Sequence, residues 1–195
     1  MDSQSLPALS ERKQQILNAA RDLFSHKGYG AASMRDLAEE LEIKPASLYS
    51  HYKSKEDMLW EIAIRAKEAF FQKVLPLAKG EGSVEDRLGA MIHAHVGVII
   101  DNINASAIFF GEWKHLSEPR RSEFAAYQEA YEQAFRELVD EGIGAGGFRD
   151  QNTRFGVRSL LAGINWIHKW YKPAGRMKAE EIARQAADFG LAALK

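Results

Sequence analysis

Residues 34–52 read MRDLAEELEIKPASLYSHY, and the way this stretch folds decides the architecture. Met34, Leu37, Ala38 and Leu41 recur at i, i+3, i+4 and i+7, the spacing of one apolar helix face. Ser33 stands before them as an N-cap, with Asp36 three residues on to return the bond, a variant of the capping box. Pro45 opens a second helix, because its missing N–H costs nothing in a first turn. Only Glu42, Ile43 and Lys44 lie between the two. Short helices joined by three residues suggest a helix-turn-helix, in which the first helix braces a second that enters the DNA major groove.

For that task the second helix must be apolar behind and polar in front. Leu48 and Tyr52, four residues apart, supply the rear. Ala46, Ser47, Ser50 and His51 are small or hydrogen-bonding and available to the front. Tyr49 and Lys55 can reach phosphate oxygens through a hydroxyl and an ammonium, contacts that fix register without reading sequence. Arg35, heading the bracing helix, can reach a phosphate or take guanine in a bidentate contact. The residues alone leave a second reading open, a surface helical hairpin with ordinary solvated charges.

Outward from this stretch the helix signals continue. Ile16, Ala20, Leu23 and Phe24 share a face, and Lys27–Gly28 supplies a basic last turn and a glycine stop. Ser54 with Asp57 repeats the cap and opens a helix through Met58, Ile62, Ala66 and Phe70 toward Pro76. KGEGS (79–83) is the clearest break. Ser83 with Asp86 then caps a helix carrying Leu88, Met91, Ile92, Val96 and Ile99. SEPRR (117–121) starts another, through Phe124, Tyr127, Tyr131, Phe135 and Leu138, which EGIGAGGFRD (141–150) ends. Two more helices are expected over 151–171 and 178–194, split by KPAGR. Strand signals are nearly absent. The expected fold class is all-α, with an N-terminal three-helix unit joined by a long helix to a larger C-terminal helical body.

The chain has 195 residues, enough for one or two domains, and its 46% hydrophobic and 27% charged content is ordinary for a soluble globular protein. With no cysteine, disulfides, thiolate metal sites and cysteine nucleophiles are excluded. A net charge of −1 argues against binding through bulk charge, so any nucleic-acid surface must be local. The N-terminal MDSQSLPALSERKQQ lacks an apolar signal core, and the longest apolar run, HVGVII (95–100), is far too short to cross a bilayer. The expectation is a cytoplasmic chain with no membrane partner. Enzyme signatures are missing. His93 and His95, two apart, project about 200° apart around a helix and do not converge on a metal. His115 and His168 have no partner at ligand spacing, nothing couples Asp101 or Glu112 to a base or nucleophile, and no phosphate-binding or dinucleotide fingerprint occurs. No cofactor or metal is expected. A helical adaptor is the remaining rival, and it gives no reason to expose Tyr49, His51 and Lys55 together.

The whole block 12–59 resembles the N-terminal domain of the TetR/AcrR family of bacterial transcriptional regulators. The match runs through Ala20, Leu23, Phe24 and Gly28, then Ser33, Leu37, Ala38 and Leu41, then Ser47, Leu48, Tyr49, His51, Tyr52, Lys55 and Leu59. The resemblance implies a homodimer that binds palindromic operator DNA, usually as a repressor. It implies a DNA-binding domain over 1–56 and a ligand-binding and dimerisation domain over 57–195. By family position Ser33, Tyr49 and Lys55 hold phosphates, while Arg35, Lys44, Ala46, Ser47 and His51 lie nearest the bases. Tyr52 replaces the more usual phenylalanine. The family's last two helices pair with a partner's, here 151–171 and 178–194, in keeping with half-sites roughly 34–36 Å apart that need two reading heads.

The central helices are rich in rings: Phe70, Phe71, Phe109, Phe110, Trp113, Tyr127, Tyr131 and Trp166. Such clusters usually form core, yet so many can also line an apolar pocket, with Asn165 as a polar group that needs a partner if buried. Residues 109–149 and GINWIHKWYKPAGRM (163–177) resemble the sensor body of regulators of fatty-acid and steroid catabolism, several of which respond to acyl-CoA thioesters. That resemblance implies a small hydrophobic effector, an acyl-CoA among the candidates, with rings around the acyl chain. Arg120, Arg121, Arg154, Arg158 and Arg176 would then be available to its phosphates.

Overall fold

The computed structural model describes residues 6–195, so the first five residues of the polar N-terminal stretch lie outside it. Among the described residues there are ten α-helices and two 3-10 turns, and no strand. The helices are α1 (Glu11–Lys27), α2 (Met34–Glu40), α3 (Pro45–Tyr49), α4 (Lys55–Lys73), α5 (Val84–Asp101), α6 (Ile103–Gly111), α7 (Arg120–Gly144), α8 (Thr153–Asn165), α9 (Ile167–Trp170) and α10 (Ala179–Leu194). All three serine caps form. Ser33 and Ser83 each accept from the third residue on, Asp36 and Asp86, whose carboxylates bond back to the cap N–H. Ser54 accepts from the Asp57 N–H. Gly28 ends α1 at φ 83, its N–H bonded to the Phe24 carbonyl.

The chain divides into two units. One is the chain to Glu68 together with Asn104–Phe124; the other is Ala69–Ile103 with Ala125–Lys195. In the first, Ile16, Leu17, Ala20 and Phe24 of α1, Leu37 and Ala38 of α2, Leu48 of α3 and Met58, Leu59 and Ile62 of α4 are all buried. The returning segment brings α6 and the start of α7. Asn104 donates to Asp22 at 2.8 Å and accepts from Ser25 at 3.1 Å, both on α1. Ser117 donates to Glu56, and Arg120 to Asp57 at 2.7 Å, both on α4. Phe109, Phe110, Trp113 and Phe124 pack ring against ring.

The second unit is built on α5, whose Leu88, Met91, Ile92, Val96 and Ile99 are buried to the last atom. α10 lies along it. Gly190 allows that approach, because a Cβ there would stand 2.8 Å from Leu160 Cδ1 and 2.9 Å from Ile92 Cδ1.

Three departures from expectation have local causes. The helix opened by Ser54 stops at Lys73 and tightens into a 3-10 turn, Leu75–Lys79, because Pro76 has no N–H to continue the ladder. The helix expected over 151–171 breaks at Trp166 into α8 and α9. The separate helix α6 follows a non-helical Asn102 (φ −149, ψ 73). Its sequence INASAIFFG is mostly apolar, with only Asn104 and Ser106 polar, and offers no clear periodicity to read.

Candidate functional site

The α2–α3 corner is set by its hydrogen bonds. The Ile43 N–H reaches back to the Ala38 carbonyl and the Glu42 N–H to that of Glu39, a Schellman closure of α2. Glu42 takes the left-handed conformation the closure requires, φ 54. Beyond it Lys44 is the N-cap of α3 and Pro45 sits in its first turn. Leu48 and Tyr52 are buried behind α3, as an apolar rear demands. The Tyr52 hydroxyl is enclosed without a hydrogen-bond partner, and burial pushes its pKa up to about 12.

The opposite face is open. Lys44, Ala46, Ser47 and Tyr49 are exposed, Tyr49 by 52%, and His51 is half-buried. Ser50 points back, donating to the Ser47 carbonyl at 2.7 Å. Arg35 is exposed and pairs with Glu39 at 3.1 Å across one turn of α2, an ion pair that water and salt weaken. Its guanidinium is therefore readily released to another anion. Ser33 is exposed, and its hydroxyl accepts from the Asp36 N–H at 3.1 Å. Lys27, 2.7 Å from Asp36, and then the Ser33 donors hold the Asp36 carboxyl down at about 2.

Lys55 stands apart from this open face. Its ammonium donates to the carbonyls of Tyr29 (2.7 Å) and Ala32 (2.6 Å) and lies 4.1 Å from the centre of the Tyr29 ring. Desolvation lowers its pKa, with Asp36 acting in the opposite direction.

In the second unit the rings gather around a group that helical spacing did not single out. His95 of α5 is fully buried, its Nδ1 2.8 Å from the Tyr131 hydroxyl and its Nε2 2.8 Å from Asn165 Oδ1. An amide oxygen only accepts, so Nε2 carries the proton and Nδ1 accepts from Tyr131. Burial drives the imidazole pKa down to about 4 and that of the Tyr131 phenol well up, so both are neutral. Phe70 packs on His95 and Tyr131, and Phe71 on Tyr127 and Tyr131. Of the expected ligand-lining residues, Phe70, Tyr127, Tyr131 and Asn165 thus belong to one cluster. Phe109, Phe110 and Trp113 sit in the ring stack of the first unit. Trp166 is 61% exposed.

Trp166, Phe155, Trp170 and Phe189 make up most of the large exposed apolar side chains among the described residues, and Phe155 and Phe189 are each 74% exposed. Phe155, Trp170 and Phe189, together with Leu160, Met177 and Ala186, line an open groove of about 720 Å³ along α8 and α10. Of the candidate phosphate-binding arginines, Arg120, Arg121 and Arg158 are paired with acidic side chains, and Arg154 and Arg176 are exposed. No single helix among the described residues is long and apolar enough to cross a membrane.

The model of the bacterial regulatory proteins of the tetR family matches residues 16–62, and that of the tetracyclin repressor-like C-terminal domain matches 81–194. The HTH-type transcriptional repressor KstR2 of Rhodococcus jostii is 30% identical over 182 residues, covering 90% of this chain and 87% of its own. Among solved structures, the TetR family regulator PfmR from Thermus thermophilus superposes with a TM-score of 0.82 at 31% identity, over 93% of this chain and 99% of its own. AibR in complex with isovaleryl coenzyme A and operator DNA superposes with a TM-score of 0.82 at 27% identity, over 94% and 98%.

Proposed function

The chain belongs to the TetR family of bacterial regulatory proteins, and from that premise we propose that it acts as a homodimeric repressor of a palindromic operator, released or recruited by a small hydrophobic effector of the acyl-CoA class. The observation that carries the reading is the two-sidedness of α3. Leu48 and Tyr52 are sealed behind it, while Ala46, Ser47 and Tyr49 stand open in front, flanked by Lys44, His51 and Arg35. In this reading Ser33 and Tyr49 hold phosphates through hydroxyls, and Arg35, Lys44, Ala46, Ser47 and His51 meet base edges in the major groove. A helical adaptor has no use for such a face.

The α8–α10 surface supports dimerisation. Phe155, Trp170 and Phe189 left in water are costly in a monomer, and a second copy of the same face covers them. The effector reading draws on the likeness to AibR, whose structure holds isovaleryl coenzyme A. Phe70, Tyr127 and Tyr131 offer ring faces to an acyl chain. The hydrogen bonds of His95 with Tyr131 and Asn165 can be exchanged for bonds to a thioester carbonyl. Exposed Arg154 and Arg176 are the arginines open to the phosphates. An effector acts here only through different affinities for the operator-binding and operator-free states.

The test is selection of binding sites from random duplex DNA, repeated with acyl-CoA thioesters of graded chain length. The expected result is a palindrome whose recovery depends on one chain-length class. Failure to recover any palindrome refutes the operator reading, and indifference to every thioester, with no heat of binding by calorimetry, refutes the effector class.

A further inference from the structure

We infer that Glu39 is a positioning residue of the reading head, one that commits Arg35 to a guanine edge and withholds it from phosphate. The inference rests on the DNA-binding reading above and deepens it at one side chain. Arg35 is the only basic residue of α2, a helix that carries three carboxylates, at Asp36, Glu39 and Glu40. Acidic side chains suit a helix that approaches phosphates poorly, so their placement asks for a reason. Asp36 has one, since it closes the capping box with Ser33 and lies 2.7 Å from Lys27. Glu39 has another. Its Oε1 accepts from Nε of Arg35 at 3.1 Å, one turn away on the same helix face.

The atom that Glu39 engages decides what is left to offer. Nε–H is the inner donor of the guanidinium, and the two terminal nitrogens keep the outward fork that matches O6 and N7 of guanine. Those acceptors belong to a neutral base, so Arg35 can take them without leaving Glu39. A phosphate sets different terms. Its charge repels the carboxylate, and an arginine drawn across to it strands Glu39 unpaired beside the DNA backbone. The side chains of Arg35 and Glu39 are 84% and 66% exposed, so water and salt loosen their pair in the free protein. The discrimination therefore belongs to the bound state, where the duplex displaces that water and charge counts for more.

Glu39→Ala removes the carboxylate and keeps a good helix former, and Glu40→Ala makes the same change of charge one residue on. Both positions are exposed, so neither change opens the core. Binding is measured against salt on an operator recovered by selection, on that operator with each guanine of a half-site replaced in turn, and on a random-sequence duplex. For Glu39→Ala the expected result is a ~5-fold or greater fall in preference for one guanine, the lower end of what a bidentate contact contributes. Random DNA should be bound more tightly, with a salt slope steeper by about 0.9 than that of Glu40→Ala, because the freed arginine turns to a phosphate. Glu40→Ala should keep the guanine preference of the wild type. Arg35→Ala should erase that same preference, and adding Glu39→Ala to it should change the preference no further. Equal guanine preference in wild type and Glu39→Ala overturns the inference and leaves the DNA-binding reading standing. A further change of base preference in the double variant marks Glu39 as a base contact of its own and overturns it as well. A wild-type chain that binds none of the duplexes refutes the DNA-binding reading, and the inference falls with it.

Discussion

Acidification should cost this protein stability through His95. The imidazole is neutral in the folded state, held down to about 4 by burial, whereas an unfolded chain returns it to its ordinary 6.5. Between those values the unfolded state binds more protons than the native one, so stability is complete above about pH 6.5 and falls as pH drops toward 4. At pH 4.5 the unfolded histidine is nearly all charged and the native one mostly neutral, which amounts to on the order of 2–3 kcal/mol. His95→Gln keeps an amide that can donate to Asn165 and accept from Tyr131 but cannot titrate. The assay is urea unfolding of wild type and variant at pH 7 and pH 4.5. Carboxylates contribute equally to both proteins and cancel, so the wild type should lose ~2–3 kcal/mol more than the variant. In parallel, the His95 ring proton should hold its neutral chemical shift down to about pH 4.5. Equal acid sensitivity in the two proteins, or a ring that titrates near 6.5, would refute the buried, amide-bonded imidazole.

Other consequences are equally accessible. Tyr52→Phe removes a hydroxyl enclosed without a partner and should raise stability by about 1 kcal/mol, seen as ~4–8 °C if the head melts as its own unit. Glu42 sits at φ 54, so Glu42→Val should destabilise by ~1–2 kcal/mol in a urea titration, while Glu42→Gly should be neutral or better. Gly190→Val forces carbon into Leu160 and Ile92 and should cost ~1–3 kcal/mol by the same measurement. Phe189→Glu places a charge on the open α8–α10 face and should leave a folded monomer by sedimentation, with operator affinity reduced accordingly.

What could be read from the sequence was what depends on local spacing. The serine caps, the proline start of α3 and its Leu48–Tyr52 rear are each fixed within four residues, and each forms as expected. The Schellman turn was legible only as a gap of three residues, because a glutamate at its left-handed position hides the usual glycine signal. His95 is not legible from spacing along its own helix. Two residues from His93 it cannot share a metal with it, but its partners, Tyr131 and Asn165, lie 36 and 70 residues away. Spacing along one helix carries no information about such distant partners. Asn165, a polar side chain that needs a partner if buried, is the sequence signal that points to His95. The carbonyls that Lys55 engages are equally hidden from local spacing, because they belong to a turn more than twenty residues back.

The return of Asn104–Phe124 to the first unit changes what counts as the reading head as a separable object. A single cut after α4 would produce a fragment whose Asp22 and Ser25 lose Asn104, whose Glu56 loses Ser117 and whose Asp57 loses Arg120. Specificity cannot then be transplanted between relatives by exchanging N-termini alone. A working chimera has to take two pieces of chain from the same parent, and drift in residues 104–124 has to keep step with drift in residues 22–57.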